Sequence, residues 1–296
     1  MKNQPSQDET IKAAEENLFA YVRLFATHGE NDYFEDRHAL RFISEIGIPS
    51  MQSNSIYKMT LGGTGDADAG IRELVRPFSD RKLPVFLTTG PSSSPHDLAA
   101  RLKKNGFTHA QTQRGMAINL NESSIAKVPA HGLNVKRVES PEELKAWLAI
   151  YADGFDYSRS LADFIFTRYR RLFIDGAPPA LHYLAYCSGK PAATFTVFVT
   201  GKMAGLYNII TVPEARRRGI ATALTLTALD KAKELGCGFA TLQATPMGAP
   251  VYRAIGFREI CAFDLYMKLH GKSCIGFPAA FVGKKISNSL RGLRRI

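Results

Sequence analysis

Long apolar runs are missing from this chain of 296 residues; none exceeds the length of a strand, so no segment is expected to span a bilayer as a helix. The opening residues, Met-Lys-Asn-Gln-Pro-Ser-Gln-Asp-Glu, carry no apolar stretch, and no secretory signal is expected. Cysteine is scarce. Cys187, Cys237, Cys261 and Cys274 lie far apart and form no C-x-x-C pair, which argues against a metal site. Reduced thiols in a cytoplasmic protein are the expectation. Acidic residues vanish after position 270, where six basic ones remain (Lys272, Lys284, Lys285, Arg291, Arg294 and Arg295). The tail thus holds more than half of the formal charge of +11. A charge so concentrated does not mark the whole chain as a nucleic-acid binder, and no specific nucleic-acid partner is expected. What is present is a globular composition, 45% hydrophobic, in a chain long enough for two ordinary domains.

Periodicity divides the chain into two series. The first predicts a helix over 8–28, strands over 39–46 and 55–61, and helices over 71–79 and 96–104. Strands over 84–89 and 108–120 complete it. A polar stretch with Pro129, residues 121–132, reads as a linker. The second series begins with a strand over 133–138 and a helix announced by Ser140-Pro141-Glu142-Glu143. After a helix over 160–172 come strands over 181–187, 192–200 and 203–212. A helix over 219–235, a strand over 239–244, a short helix over 249–254 and a strand over 259–269 follow. The two series end alike, with Gly106-Phe107 and Gly256-Phe257 each closing a short helix before a strand, a weak internal repeat.

One stretch, residues 207–224, organises the second series: Tyr-Asn-Ile-Ile-Thr-Val-Pro-Glu-Ala-Arg-Arg-Arg-Gly-Ile-Ala-Thr-Ala-Leu. A β-branched run stops at Pro213, three arginines lead to Gly219, and a helix opens. Free amides in the first helical turn and the helix dipole favour an anion there, and a glycine lets a phosphate approach the backbone. Further on stand Leu242-Gln243-Ala244-Thr245 and Val251-Tyr252, with Gly256-Phe257 after them.

These segments, in this order and spacing, resemble the GNAT family of acyl-CoA-dependent N-acyltransferases. Arg216, Gly219 and Ala221 fit that family's R/Q-x-x-G-x-G/A turn. The resemblance implies an α/β (α+β) fold of two GNAT-like domains, each a mixed, mostly antiparallel sheet flanked by helices. It implies acetyl-CoA as cosubstrate, its pyrophosphate cradled by Arg217, Arg218, Gly219, Ile220, Ala221 and Thr222. The pantetheine arm and thioester would lie beside Ile210, Thr211 and Val212, with Gln243 within reach. Tyr252 falls where the family often places a tyrosine that protonates the departing thiolate, and an aromatic packed between helix and strand is the other reading. A phenol of pKa near 10 suits that task. The implied reaction is acetyl transfer to a small-molecule or peptide amine by direct attack in a ternary complex. A non-catalytic acyl-CoA sensor would use the same turn.

No residue singles itself out as the base. Glu214, Asp153, Asp156 and Tyr157 are candidates by position, His182 reads as a structural histidine, and a water relay is as open. The first series resembles a degenerate copy of the fold. Its counterpart turn, residues 62–70, has two aspartates and no arginine, and Leu102 stands where Tyr252 stands in the second. The expected domains are 1–125 (degenerate), 126–270 (catalytic) and a basic tail over 271–296. In the tail Val282, Ile286, Leu290 and Leu293 share a helical stripe. Such a helix can lie on an anionic membrane, on an acidic partner or on its own protein. Oligomeric state and the identity of the amine leave no mark in the sequence.

Overall fold

The computed structural model describes residues 5–27, 32–44, 53–61, 66–122, 132–155, 157–174 and 180–270. The tail over 271–296, most of the expected linker, Asp156, and positions 62–65 of the glycine-rich turn lie outside the described residues.

In chain order the elements are α1 (Gln7–Ala26), β1 (Asp32–Glu35), β2 (Leu40–Ile43), β3 (Asn54–Tyr57), α2 (Ala67–Asp80), β4 (Val85–Thr89), α3 (Leu98–Lys104) and β5 (Thr108–Asn119). Then follow β6 (Leu133–Arg137), α4 (Pro141–Gly154), α5 (Arg159–Ile174), β7 (Ala180–Cys187), β8 (Lys190–Thr200) and β9 (Met203–Thr211). A 3-10 turn (Pro213–Ala215), α6 (Ile220–Glu234), β10 (Phe239–Ala244), α7 (Ala249–Ile255) and β11 (Arg258–Lys268) complete the chain. The periodicity assigns no element to β1 or to the 3-10 turn after β9. It also starts α2 four residues late, because Asp66 caps the helix there by accepting from the Asp68 N–H.

The chain packs as two units, divided elsewhere than at the expected boundary between 125 and 126. The larger comprises Met1–Val22 and Arg114–Cys261; the smaller comprises Arg23–Gln113 and Ala262–Ile296. The larger unit's sheet runs β6-β7-β8-β9-β10, with the end of β5 beyond β10. All its pairings are antiparallel except β9–β10. The smaller unit's sheet runs β1-β2-β3-β4, with the end of β11 beyond β4, and only β3–β4 is parallel. The two series have therefore exchanged their last strands. Asn119 to Arg114 pair with β10, and Asp264 to Lys268 pair with β4. The cause is in the side chains. Met116, Ile118 and Leu120 are buried in the larger unit's core with Leu224 and Phe257, and Tyr266 is buried in the smaller one with Leu87 and Leu102.

In the larger unit, alternation sorts each strand's residues between two faces. Phe195 and Val197 of β8 belong to the core that Ile220, Leu224, Ala228 and Leu229 of α6 fill. Thr194 and Thr196 point the other way, into a polar layer with His182 and Asn208. Truncating a fully buried leucine such as Leu224 costs about 2–5 kcal/mol.

Candidate active site

Strands β9 and β10 run side by side for only three residue pairs, Met203–Phe239, Ala204–Ala240 and Gly205–Thr241. Beyond Gly205 the ladder stops, although β9 continues to Thr211 and β10 to Ala244. The other edge of β9 stays paired with β8 up to Thr211. One side of the second half of β9 therefore offers main-chain groups that a peptide-like arm can bond. Val212 is not among them, since its N–H donates to the Ala192 carbonyl at 2.9 Å. Two buried polar atoms flank this opening without a partner among the described residues, the Thr211 hydroxyl and the Gln243 amide nitrogen. Such atoms cost free energy unless a ligand or water satisfies them.

The turn between β9 and α6 is folded by its own bonds. Ala215 N–H reaches Val212 O at 3.0 Å, and the Arg216 guanidinium caps Thr211 O at 3.0 Å. Arg217 (φ 60°) and Gly219 (φ 74°) are both left-handed, an alternation that turns successive N–H groups to one side. Among the described residues, the N–H groups of Arg217, Arg218, Gly219, Ile220, Ala221 and Thr222 have no protein acceptor; the first bond of α6 is Ala223 N–H to Gly219 O. A Cβ added to Gly219 would meet nothing within 4 Å. Free amides, a helix N-terminus and exposed Arg217 and Arg218 fit a pyrophosphate, and the open, partly orphaned edge of β9 fits a pantetheine arm. These residues fit coenzyme A. Among the described residues, no group of three or more His, Cys, Asp or Glu could hold a metal ion.

Tyr252 sits on α7 against the same core as Ile209 and Val212, and its ring meets Phe257 edge-on at 5.9 Å. Burial pushes its phenol up to about 12. No hydrogen bond engages its hydroxyl among the described residues, so the proton is free to be given to a ligand. Of the base candidates, Glu214 and Asp153 are exposed. Tyr157 packs its ring against Phe155 at 5.5 Å and Tyr151 at 5.8 Å. His182 lies against Trp147, its Nδ1 2.8 Å from the Thr196 hydroxyl, and burial pushes it down to about 3. A neutral imidazole enclosed by Trp147 and Tyr169 is a structural group.

The smaller unit repeats the plan with its slot shut. Gly106 and Gly256 terminate their helices identically, Phe107 N–H reaching Leu102 O and Phe257 N–H reaching Tyr252 O, each at 3.0 Å. In the smaller unit, however, the chain after β3 stays bonded to the chain after β4. Ser94 N–H donates to Met59 O and Leu61 N–H to Ser94 O, both at 2.9 Å. At the start of α2, Asp66 caps the helix by accepting from the Asp68 N–H, and Asp68 turns its own carboxylate to the end of α3. Its carboxylate accepts from Lys104 (3.1 Å), Asn105 (2.9 Å) and Arg101 (3.3 Å), and Lys104 above all holds it below the usual carboxylate range. Leu102, fully buried, has no proton to give.

Sequence reasoning missed Gly154, Thr194, Gly205, Asn208 and Tyr21, all of which shape β9. Only Asn208 carried a legible signal. Asparagine inside a β-branched run is the residue that most readily takes a left-handed kink, and its φ is 55°.

Residues 144–257 match the family model of the acetyltransferase (GNAT) family. The chain is also similar to solved structures. One is a GCN5-related N-acetyltransferase from Kribbella flavida, 16% identical with a TM-score of 0.65, covering 88% of this chain and 96% of that one. Another, from Sphaerobacter thermophilus, is 15% identical with a TM-score of 0.58, covering 90% and 94%. A tandem GNAT protein from the clavulanic acid biosynthesis pathway is 16% identical with a TM-score of 0.55, covering 79% and 78%. At these identities the likeness shows the fold. No curated protein matches the chain.

Proposed function

We propose, from the premise that residues 144–257 are a domain of the GNAT acetyltransferase family, that the larger unit moves an acetyl group from acetyl-CoA to an amine by direct attack. The observation that carries this is the run of six amides from Arg217 to Thr222 that find no acceptor among the described residues, set beside an open strand edge with two polar atoms likewise unpartnered there. When bound, acetyl-CoA supplies an activated thioester. The chain's own groups do the rest. The amides and the arginine side chains hold the phosphates, the Thr211 hydroxyl and Gln243 amide meet the arm, and the free edge of β9 aligns it. Tyr252 keeps its proton at neutral pH and can deliver it to a leaving sulfur. No ionised carboxylate is assigned the role of base, so the amine enters neutral or loses its proton to water.

The smaller unit binds no acyl-CoA in this reading. Its slot is bridged at Ser94, and the start of α2 carries Asp66 and Asp68 where the larger unit has arginines. Calorimetry with acetyl-CoA is expected to give one site per chain. Gly219→Glu is expected to abolish binding while leaving a folded protein, because its Cβ faces open space and the left-handed φ costs only about 1–2 kcal/mol. Wild-type affinity in that variant sinks the assignment. Thiol release over an amine panel separates transfer from binding alone; a chain that binds acetyl-CoA and never releases thiol is a sensor.

A further inference from the structure

We propose that the smaller unit carries a small-molecule site of its own, a cavity between α2 and the corner that joins α3 to β5, suited to an aromatic ring bearing a carboxylate or a phosphate. All of its lining residues belong to that unit, so it stands apart from the acyl-CoA reading of the larger one.

The cavity measures about 470 Å³, within the range of sites that take small ligands. Helical spacing builds one wall, from Ala69 to Ser79, about 15 Å of α2. Ile71, Leu74, Val75 and Phe78 bury the inner stripe of that helix. Arg72 and Arg76, four residues apart, therefore stand together on its exposed side. The facing wall is fixed by its own bonds. Gly106 ends α3 in the left-handed region (φ 85°), and the buried Phe107 follows it. Asn105 donates its side-chain amide to Asp68 and to the Arg101 carbonyl, each at 2.9 Å. The Asn105 carbonyl in turn accepts from the Lys268 ammonium at 2.9 Å, with the Phe107 ring 6.0 Å from that nitrogen. An ammonium has three hydrogens, so two remain on a side chain already held in place.

The charges around this cavity are poorly compensated. Elsewhere in the unit Arg23, Arg81 and Lys104 meet carboxylates at 2.7, 3.0 and 3.1 Å. Here Arg72 reaches only Asp66, at 3.4 Å and in the open, and neither Arg76 nor Glu73 forms an ion pair among the described residues. The lining thus sets three cations against one acid, beside the apolar Ile71, Val75 and Phe107. A bare anion would answer the charge and leave the arginine and lysine stems uncovered; an uncharged ring would do the reverse. An aromatic anion answers both, because guanidinium and ammonium groups attract the negative face of a ring as well as an acidic head. Carboxylate and phosphate oxygens both accept the paired N–H groups of arginine.

Calorimetry on the full chain, with 2-naphthoate and 2-naphthyl phosphate as probes, tests the site. One saturable site with a Kd of about 1 mM or tighter is expected for at least one probe. Acetyl-CoA is expected to leave that affinity unchanged. Arg76→Gln is expected to weaken binding about 3-fold and Glu73→Gln to strengthen it about 3-fold, each being an exposed position where the fold does not depend on the charge. The tighter of the two probes identifies the head group. Unaltered affinity in both variants, competition by acetyl-CoA, or inorganic phosphate binding as tightly as the aryl probes overturns the proposal. So does the absence of saturable binding by the wild type.

Discussion

Gly154, the last residue of α4, tests how closely the helix governs β9. A Cβ on Gly154 would lie 2.4 Å from Ile210 Cγ2 and 3.2 Å from its Cδ1. Carbon atoms settle at about 3.5 Å, so Gly154→Ala requires Ile210 to retreat by about 1 Å. A β-branched side chain has one preferred χ1 and no flexible end to swing aside, so the backbone of β9 must move with it. Overpacking of this kind costs about 1–3 kcal/mol. For a unit of this size that lowers the melting temperature by roughly 5 °C. Ile210 sits on the open part of β9, so the same shift is expected to lower kcat by up to about 10²-fold. The assay is a double-mutant cycle read by calorimetry and by thiol release. Gly154→Ala is expected to be harmful in the wild-type background and neutral, or slightly stabilising through helix propensity, in an Ile210→Ala background. A single variant with unchanged melting temperature and rate, or equal losses in both backgrounds, refutes the contact as the cause.

Tyr252→Phe deletes a hydroxyl that bonds nothing among the described residues, so the melting temperature and acetyl-CoA affinity are expected to hold while kcat falls about 10²-fold; a kcat within twofold of wild type removes Tyr252 from the chemistry. His182 binds its proton less tightly when folded (about 3) than when unfolded (6.5), so its contribution is complete above pH 6.5 and drains as pH falls toward 3, at no more than about 1.4 kcal/mol per pH unit. His182→Gln is expected to flatten the melting temperature against pH between 7 and 4.5, and parallel curves for the two proteins refute that role. Asp68→Ala, which frees Lys104 and Asn105, is expected to destabilise the chain without altering the single acetyl-CoA site; loss of that site would contradict the division of labour between the units.

Much of the proposed donor site was written locally. The strand ending at Thr211, the arginines, Gly219 and the helix opening at Ile220 lie within a dozen residues, and their chemistry depends on i to i+4 relations that a sequence displays. The closing Gly-Phe pairs were legible for the same reason, and both form the same helix cap. Val212 shows the limit even at short range. Its place beside the slot was visible, but only pairing with Ala192 decides that its N–H faces β8.

Relations across the chain were decided by tertiary structure alone. Thr241 bonds the Met116 carbonyl from 125 residues away, and Asn208 meets Tyr21 across 187. Nothing in the periodicity of β5 or β11 says which β-sheet each will join, because a strand's alternation specifies a buried face and leaves the partner open. The exchange of those strands, the neutral burial of His182 and the bridge at Ser94 that closes the smaller unit's slot all follow from which surfaces meet. Local sequence set out the amides and arginines that the proposed acyl-CoA site needs. The packing of distant segments decided that, among the described residues, the edge of β9 beside them is open.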